Sequence, residues 1–150
     1  MPDVTITRRF RAGIDHVFRY ITESDKLLEW WGPEGLTVPV HRLDFSKTGA
    51  WMSEMHAPDG RVFKVSGQVT KVDPPKLVGF TWAWHDETDT RGHESHVMIE
   101  LAADGDETLF TLTHSNLSDD ESARSHTEGW TSSLRKLEAR LQPAAPAATS

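Results

Sequence analysis

The stretch from Ser118 to Gln142, SDDESARSHTEGWTSSLRKLEARLQ, constrains the fold of this chain most. Apolar or small residues at Ala123, Thr127, Trp130, Leu134, Leu137 and Leu141 recur in steps of 4, 3, 4, 3 and 4, tracing one face of a helix. Ser118 is placed to cap that helix, and Glu121, three residues on, to complete a capping box. Asp119 and Asp120 put negative charge at the positive end of the helix dipole, while Lys136 and Arg140 sit near the other end and Pro143 stops it. A helix over 118–141 spans roughly 36 Å. That is long for a globular helix, so it needs a broad apolar partner. Most of the chain between residues 36 and 116 reads as strand, and runs of strand followed by a helix indicate an α+β domain. The expectation is a curved antiparallel sheet of about six to seven strands wrapped around this one helix.

The strands are read from period-two alternation. Residues 3–10 place Val4, Ile6 and Arg8 on one face. Ile14, Val17, Phe18 and Ile21 then fall at helical spacing, and Ser24 is placed to cap a second short helix carrying Leu27, Leu28, Trp30 and Trp31, ended by Gly32-Pro33. One of the two tryptophans is expected to pack inward and the other to sit at a rim. Thr37 to Leu43 is broken by Pro39 and reads as an edge strand. Strands follow over 50–56, 62–72, 76–85, 93–102 and 108–114, separated by turns such as Pro58-Asp59-Gly60, Asp73-Pro74-Pro75 and Asp104-Gly105-Asp106. Residues 1–142 read as one domain, and the small, Pro-rich tail over 143–150 as disordered.

Composition excludes several classes. The chain has no cysteine, which removes disulfides, thiolate catalysis and thiolate metal sites and fits a cytoplasmic location. Sixteen basic against 23 acidic residues give a net charge of −7, which argues against nucleic acid as a partner. No apolar run approaches the roughly 20 residues of a membrane span, and the N-terminus carries no apolar signal core. Eight histidines invite a metal, but HExxH is absent and His93 and His96 would point to opposite faces of a strand, so neither a metal nor a cofactor is expected.

The order of elements resembles the helix-grip superfamily of START lipid-transfer domains and birch-pollen allergens. The closer resemblance is to its branch of activator of heat-shock-protein-90 ATPase-like domains. It is carried by His16-Val17-Phe18, Trp30-Trp31-Gly32-Pro33, Pro58-Asp59-Gly60, Gly67 with Asp73-Pro74-Pro75, Leu77 with Trp82 and Trp84, Thr113-His114, and Gly129-Trp130 with Leu134 and Leu137, over about residues 4–142. The resemblance implies a deep apolar cavity between sheet and long helix. The eukaryotic chaperone activators of this branch carry a further N-terminal domain, for which 150 residues leave no room, and this argues against chaperone activation.

The aromatic-rich inner faces then supply candidate ligand-binding residues. These are Phe63, Val65, Phe80, Trp82, Trp84, Val97, Ile99, Phe110 and Leu112 from the strands, with Trp130, Leu134 and Leu137 from the helix. The same side chains can instead fill the interior and leave no cavity. Gly129 inside a helix costs about 1 kcal/mol relative to alanine, so either a space requirement or tight helix–sheet packing holds it there. Glu54 and His114 are the candidate catalytic residues. Glu54 lies inside an apolar shell if Met52 and His56 face inward. It is a solvated edge charge if Trp51, Ser53 and Met55 do, and alternation leaves the choice open with the second slightly favoured. His114 ends the last strand near a cavity mouth, where it is either a functional polar contact or a hydrogen-bonded structural histidine. The leading expectation is a binding protein for a small apolar or amphipathic ligand. A cyclase or aromatase-type enzyme using the same cavity needs Glu54 or His114 inside it. An interaction module, with a chaperone or a second copy of the chain as partner, needs an exposed apolar patch, for which Trp31 is the residue to inspect.

Overall fold

The computed structural model describes residues 3–141. The expected helix end at Gln142 and Pro143 and the expected disordered tail lie outside them. The elements run β1 (Val4–Phe10), α1 (Ile14–Thr22), α2 (Ser24–Leu27), β2 (Thr37–Arg42), β3 (Gly49–His56), β4 (Val62–Asp73), β5 (Leu77–Trp84), β6 (Ser95–Asp104), β7 (Glu107–Ser115) and α3 (Asp120–Leu141). All seven strands form one antiparallel sheet in the order β1-β7-β6-β5-β4-β3-β2. β2 to β7 form a meander, each strand pairing with the next in sequence. β1 and β2 are the two edges, and α1 and α2 carry the chain from one to the other. β2 is largely exposed and its register slips between Thr37 and Val40, around Pro39, as an edge strand with a missing donor should.

The alternation fixes the inner face. On β3 it is Trp51, Ser53 and Met55 that are buried. On β5, β6 and β7 the inner sets are Val78-Phe80-Trp82, Val97-Ile99-Leu101 and Phe110-Leu112-His114. The inner face of β4 passes through Gly67, where an added Cβ would stand 2.0 Å from the carbonyl oxygen of Thr81. Only glycine admits the sheet at that crossing, and it frees Thr81 O to accept Trp51 Nε1–H at 3.0 Å.

α3 buries Trp130, Ser133, Leu134, Leu137 and Leu141 against this face. Two local expectations are corrected. The helix cap is Asp119, whose Oδ1 accepts the Ser122 N–H at 2.8 Å, not Ser118. In the first turns Ala123 is only half-buried and Thr127 is exposed, its hydroxyl bonded back to Ala123 O at 2.8 Å. The apolar stripe is therefore continuous only from Trp130 onward. α2 is likewise shorter than expected: Ser24 lies inside it, after Glu23 at the N-cap, and Trp30 and Trp31 follow in a turn anchored on Leu27 O. Neither tryptophan sits at a rim, for both are buried.

Candidate functional site

The C-terminal half of α3 contributes Leu134, Leu137 and Leu141 to the core on the inner face. Phe10 meets Phe110 edge to face at 5.3 Å, and Phe45 meets Phe80 at 4.5 Å between ring centres. Val65, Phe80, Val97, Ile99, Phe110, Leu112, Leu134 and Leu137 belong to this packed core. They were expected to face a ligand, but they pack within the core and none of them lines the cavity.

Around the first half of α3 the inner face is not filled. There a cavity of about 250 Å³ lies between α3, β5, β3, β4 and the segment 31–36. Of the expected ligand-binding residues, Phe63, Trp82, Trp84 and Trp130 line it. Sequence reasoning missed Trp31, Leu36, Met55, His126 and Ser133 as wall residues. Gly129 lines it too. A Cβ added there would meet nothing nearer than Pro33 Cγ at 3.8 Å, so tight packing does not hold this glycine. Among the described residues no aspartate, glutamate, lysine or arginine contributes to the wall.

Six ring systems close around Trp82: Trp31, Trp51, Trp84, His114, His126 and Trp130, with centroids between 5.2 and 6.1 Å from its own. Edge-to-face and tilted pairs of this kind add specificity of geometry to apolar burial. Two histidines are wired into the cluster. His126 Nδ1 stands 2.8 Å from Ser122 O, which can only accept, so Nδ1 carries the proton and Nε2 accepts Trp84 Nε1–H at 3.0 Å. His114 Nδ1 accepts Trp130 Nε1–H at 3.0 Å, so Nε2 carries its proton and donates to Ser95 Oγ at 2.7 Å. Both rings are thereby held neutral. Burial, with the neighbouring His126 and His96, pushes His114 down to about 3, and burial lowers His126 against the opposing bond to Ser122.

Neither catalytic candidate lines the cavity. Glu54 points to the outer face of β3 and bonds His56 Nε2 at 3.1 Å, so of the two readings left open it is the slightly favoured one, a charge outside the apolar shell, that the burial of Trp51, Ser53 and Met55 selects. His114 lies behind the wall with the lone pair of Nδ1 already taken, so it is placed to position Trp130. Trp31 does not expose a patch: it is 3% exposed and donates to Ser53 Oγ at 2.9 Å.

A second constellation, invisible to sequence spacing, sits on the outer face. Ser66 Oγ stands 2.6 Å from His85 Nε2, and His85 Nδ1 2.8 Å from Asp89 Oδ1. Arg91 Nε donates to the same hydroxyl at 3.0 Å and Lys64 pairs with Asp89 at 3.0 Å. These residues line neither the cavity nor the shallow groove between β1 and α3. Their bonds fasten the loop 86–92 onto β4.

A seven-stranded sheet gripping one long helix, with an aromatic cavity under the first half of that helix, defines a helix-grip domain. The model of the family described as activator of Hsp90 ATPase homolog 1-like protein matches residues 11–142, and the chain belongs to that family. The crystal structure of an AHSA1 protein from Silicibacter pomeroyi is similar at 50% identity and a TM-score of 0.90, over 93% of this chain and 97% of that one. Two more distant structures share the fold. A protein of Chromobacterium violaceum is 19% identical with a TM-score of 0.82, over 95% of this chain and 99% of its own. A protein of Mycobacterium smegmatis is 21% identical with a TM-score of 0.78, over 95% and 91%. Among curated proteins none matches the chain. No helix of the described residues is long and apolar enough to cross a membrane.

Proposed function

We propose that this domain binds a small, uncharged, largely apolar molecule in the cavity beneath the first half of α3. The observation that carries the reading is the wall itself: four tryptophans, Phe63, Met55 and Leu36, with no charged side chain and with His126 held neutral. A carboxylate or ammonium group entering this space would lose its hydration without gaining a counter-charge. At liquid-like packing, about 0.5–0.6 of the volume, a cavity of about 250 Å³ takes a ligand of about ten non-hydrogen atoms. That is the size of a bicyclic aromatic or a short terpenoid, and it lies at the small end of ligand sites. Gly129 supports the same reading, because its missing side chain enlarges the cavity at the cost of helix propensity.

The enzyme reading loses both of its candidates, since Glu54 and His114 lie outside the wall, and His126, the histidine in the wall, has both ring nitrogens engaged by Trp84 and Ser122. The chaperone-partner reading lacks its exposed tryptophan. The test is to titrate naphthalene, 1-tetralone, flavone and decanoate while following tryptophan emission and the melting temperature. The neutral bicyclic compounds should raise the melting temperature, by an amount equivalent to about 2.7 kcal/mol at a hundredfold excess over Kd, and decanoate should not. Gly129→Leu, which fills the space, should abolish the response. A panel that leaves both signals unmoved overturns the proposal.

A further inference from the structure

The chain provides a hydrogen-bond acceptor for the indole of five of its six tryptophans. Trp30 Nε1 donates to Tyr20 O at 2.8 Å, Trp31 to Ser53 Oγ at 2.9 Å, Trp51 to Thr81 O at 3.0 Å, Trp84 to His126 Nε2 at 3.0 Å and Trp130 to His114 Nδ1 at 3.0 Å. Trp82 is the exception. Its Nε1 is the one buried side-chain nitrogen or oxygen without a partner among the described residues. Buried indole N–H groups ordinarily find an acceptor, and an unmade bond leaves the full desolvation penalty of the donor standing. The two histidines beside Trp82 have their acceptor nitrogens committed: His126 Nε2 and His114 Nδ1 each hold another tryptophan. Trp82 is also 6% exposed, lies at the centre of the ring cluster and lines the cavity.

We infer that Trp82 Nε1–H is the recognition donor of the cavity, and that its ligand is a neutral compact molecule carrying one acceptor oxygen, as in a cyclic ketone or lactone. The inference rests on the binding reading above and narrows it. An all-carbon ligand fills the same space but leaves the indole unpaired. A carbonyl oxygen recovers the missing bond, and no neighbouring side chain competes for that donor. A site with an unpaired buried donor discriminates against the analogue that lacks its partner.

The test compares 1-tetralone with tetralin, which differ by one carbonyl in place of a methylene. Dissociation constants are measured by emission titration, and ¹H–¹⁵N spectra follow the indole signals, with Trp82 assigned through its neighbours Trp51 and His114. The ketone should bind about three- to tenfold more tightly, the range for one net hydrogen bond, and should move the Trp82 indole proton downfield, whereas tetralin should not. In Trp82→Phe both should still bind and the preference should vanish. The indole shift is read in the unaltered protein, so it decides the matter even where that variant fails to fold. Equal binding of the two compounds, or a downfield shift at a different indole, overturns the inference and leaves the cavity reading standing. Failure of both compounds to bind overturns the two together.

Discussion

Uptake of a proton by His114 in the unfolded chain should destabilise this domain in a pH window where its carboxylates are still ionised. Buried among Trp82, His126 and Trp130, the ring accepts Trp130 Nε1–H on Nδ1 and donates from Nε2 to Ser95. A second proton would set N–H against N–H, and the folded-state value stands at about 3 against 6.5 for a free histidine. Above pH 6.5 the ring is neutral in both states and contributes no pH dependence. Below it the unfolded chain takes up a proton that the native state refuses. Stability is therefore full above the unfolded value and falls with pH, at about 1.4 kcal/mol per unit, until the folded value is reached. Between pH 7.5 and 5 the loss is about 2 kcal/mol from His114 alone. His126, also lowered by burial, adds to it in the same direction. The carboxylates held low by their partners, such as Asp86 beside Thr88 and Asp89 beside Lys64, act only at more acid pH. Urea melts at half-unit steps from pH 7.5 to 5 read the slope directly. His114→Gln should flatten it, whatever that variant does to absolute stability, and the double variant with His126→Gln should flatten it further. A wild-type loss under about 0.5 kcal/mol over this window, or an equal slope in His114→Gln, refutes the wiring of the two rings.

Three substitutions test the frame around the cavity. Leu137, fully buried in the α3 stripe, should cost about 2–5 kcal/mol on truncation to alanine in denaturant melts. Gly129→Ala should stabilise by up to about 1 kcal/mol, since its Cβ meets only Pro33 at an ordinary 3.8 Å; destabilisation would mean the helix is packed more tightly there. Asp119→Ala should cost about 1 kcal/mol through loss of the cap on Ser122, whereas Ser118→Ala should cost little, a contrast that thermal melts resolve.

The fold was legible because two periodicities in the chain carry it. The 4, 3, 4 steps ending at Leu141 mark the gripping helix, and the alternation in VGFTWAW and ETLFTLT marks strands with one face inward. The cavity was only partly legible. Periodicity says which face a residue belongs to but not whether that stretch of face is filled, so Val97, Ile99 and Leu112 read the same as Trp84. What separates them is the opposite wall, and α3 does encode it. Ser122, His126, Gly129 and Ser133 form a small and polar row at steps of 4, 3 and 4 beside the apolar stripe, the mark of a helix facing a space. Thr127 was taken for part of the stripe when the row next to it was the informative one. Trp31, Met55 and Leu36 reach the wall through the fold, from a turn, a strand and a loop distant in sequence. Glu54 was a matter of parity alone, settled by Trp51 and Met55 being buried. The unpaired indole of Trp82 has no sequence signature, because it is defined by where five other tryptophans find their partners.

The claim that the cavity beneath α3 is a ligand site is tested most directly by locating a bound ligand. With methyl-labelled methionine, leucine, isoleucine and valine, 1-tetralone should perturb Met55 and Leu36 and the indoles of Trp82, Trp84 and Trp130. It should leave Val97, Ile99 and Leu112 at their free positions. Shifts centred on the packed core or on the exposed valines Val40 and Val62, with Met55 and Leu36 unmoved, would contradict it.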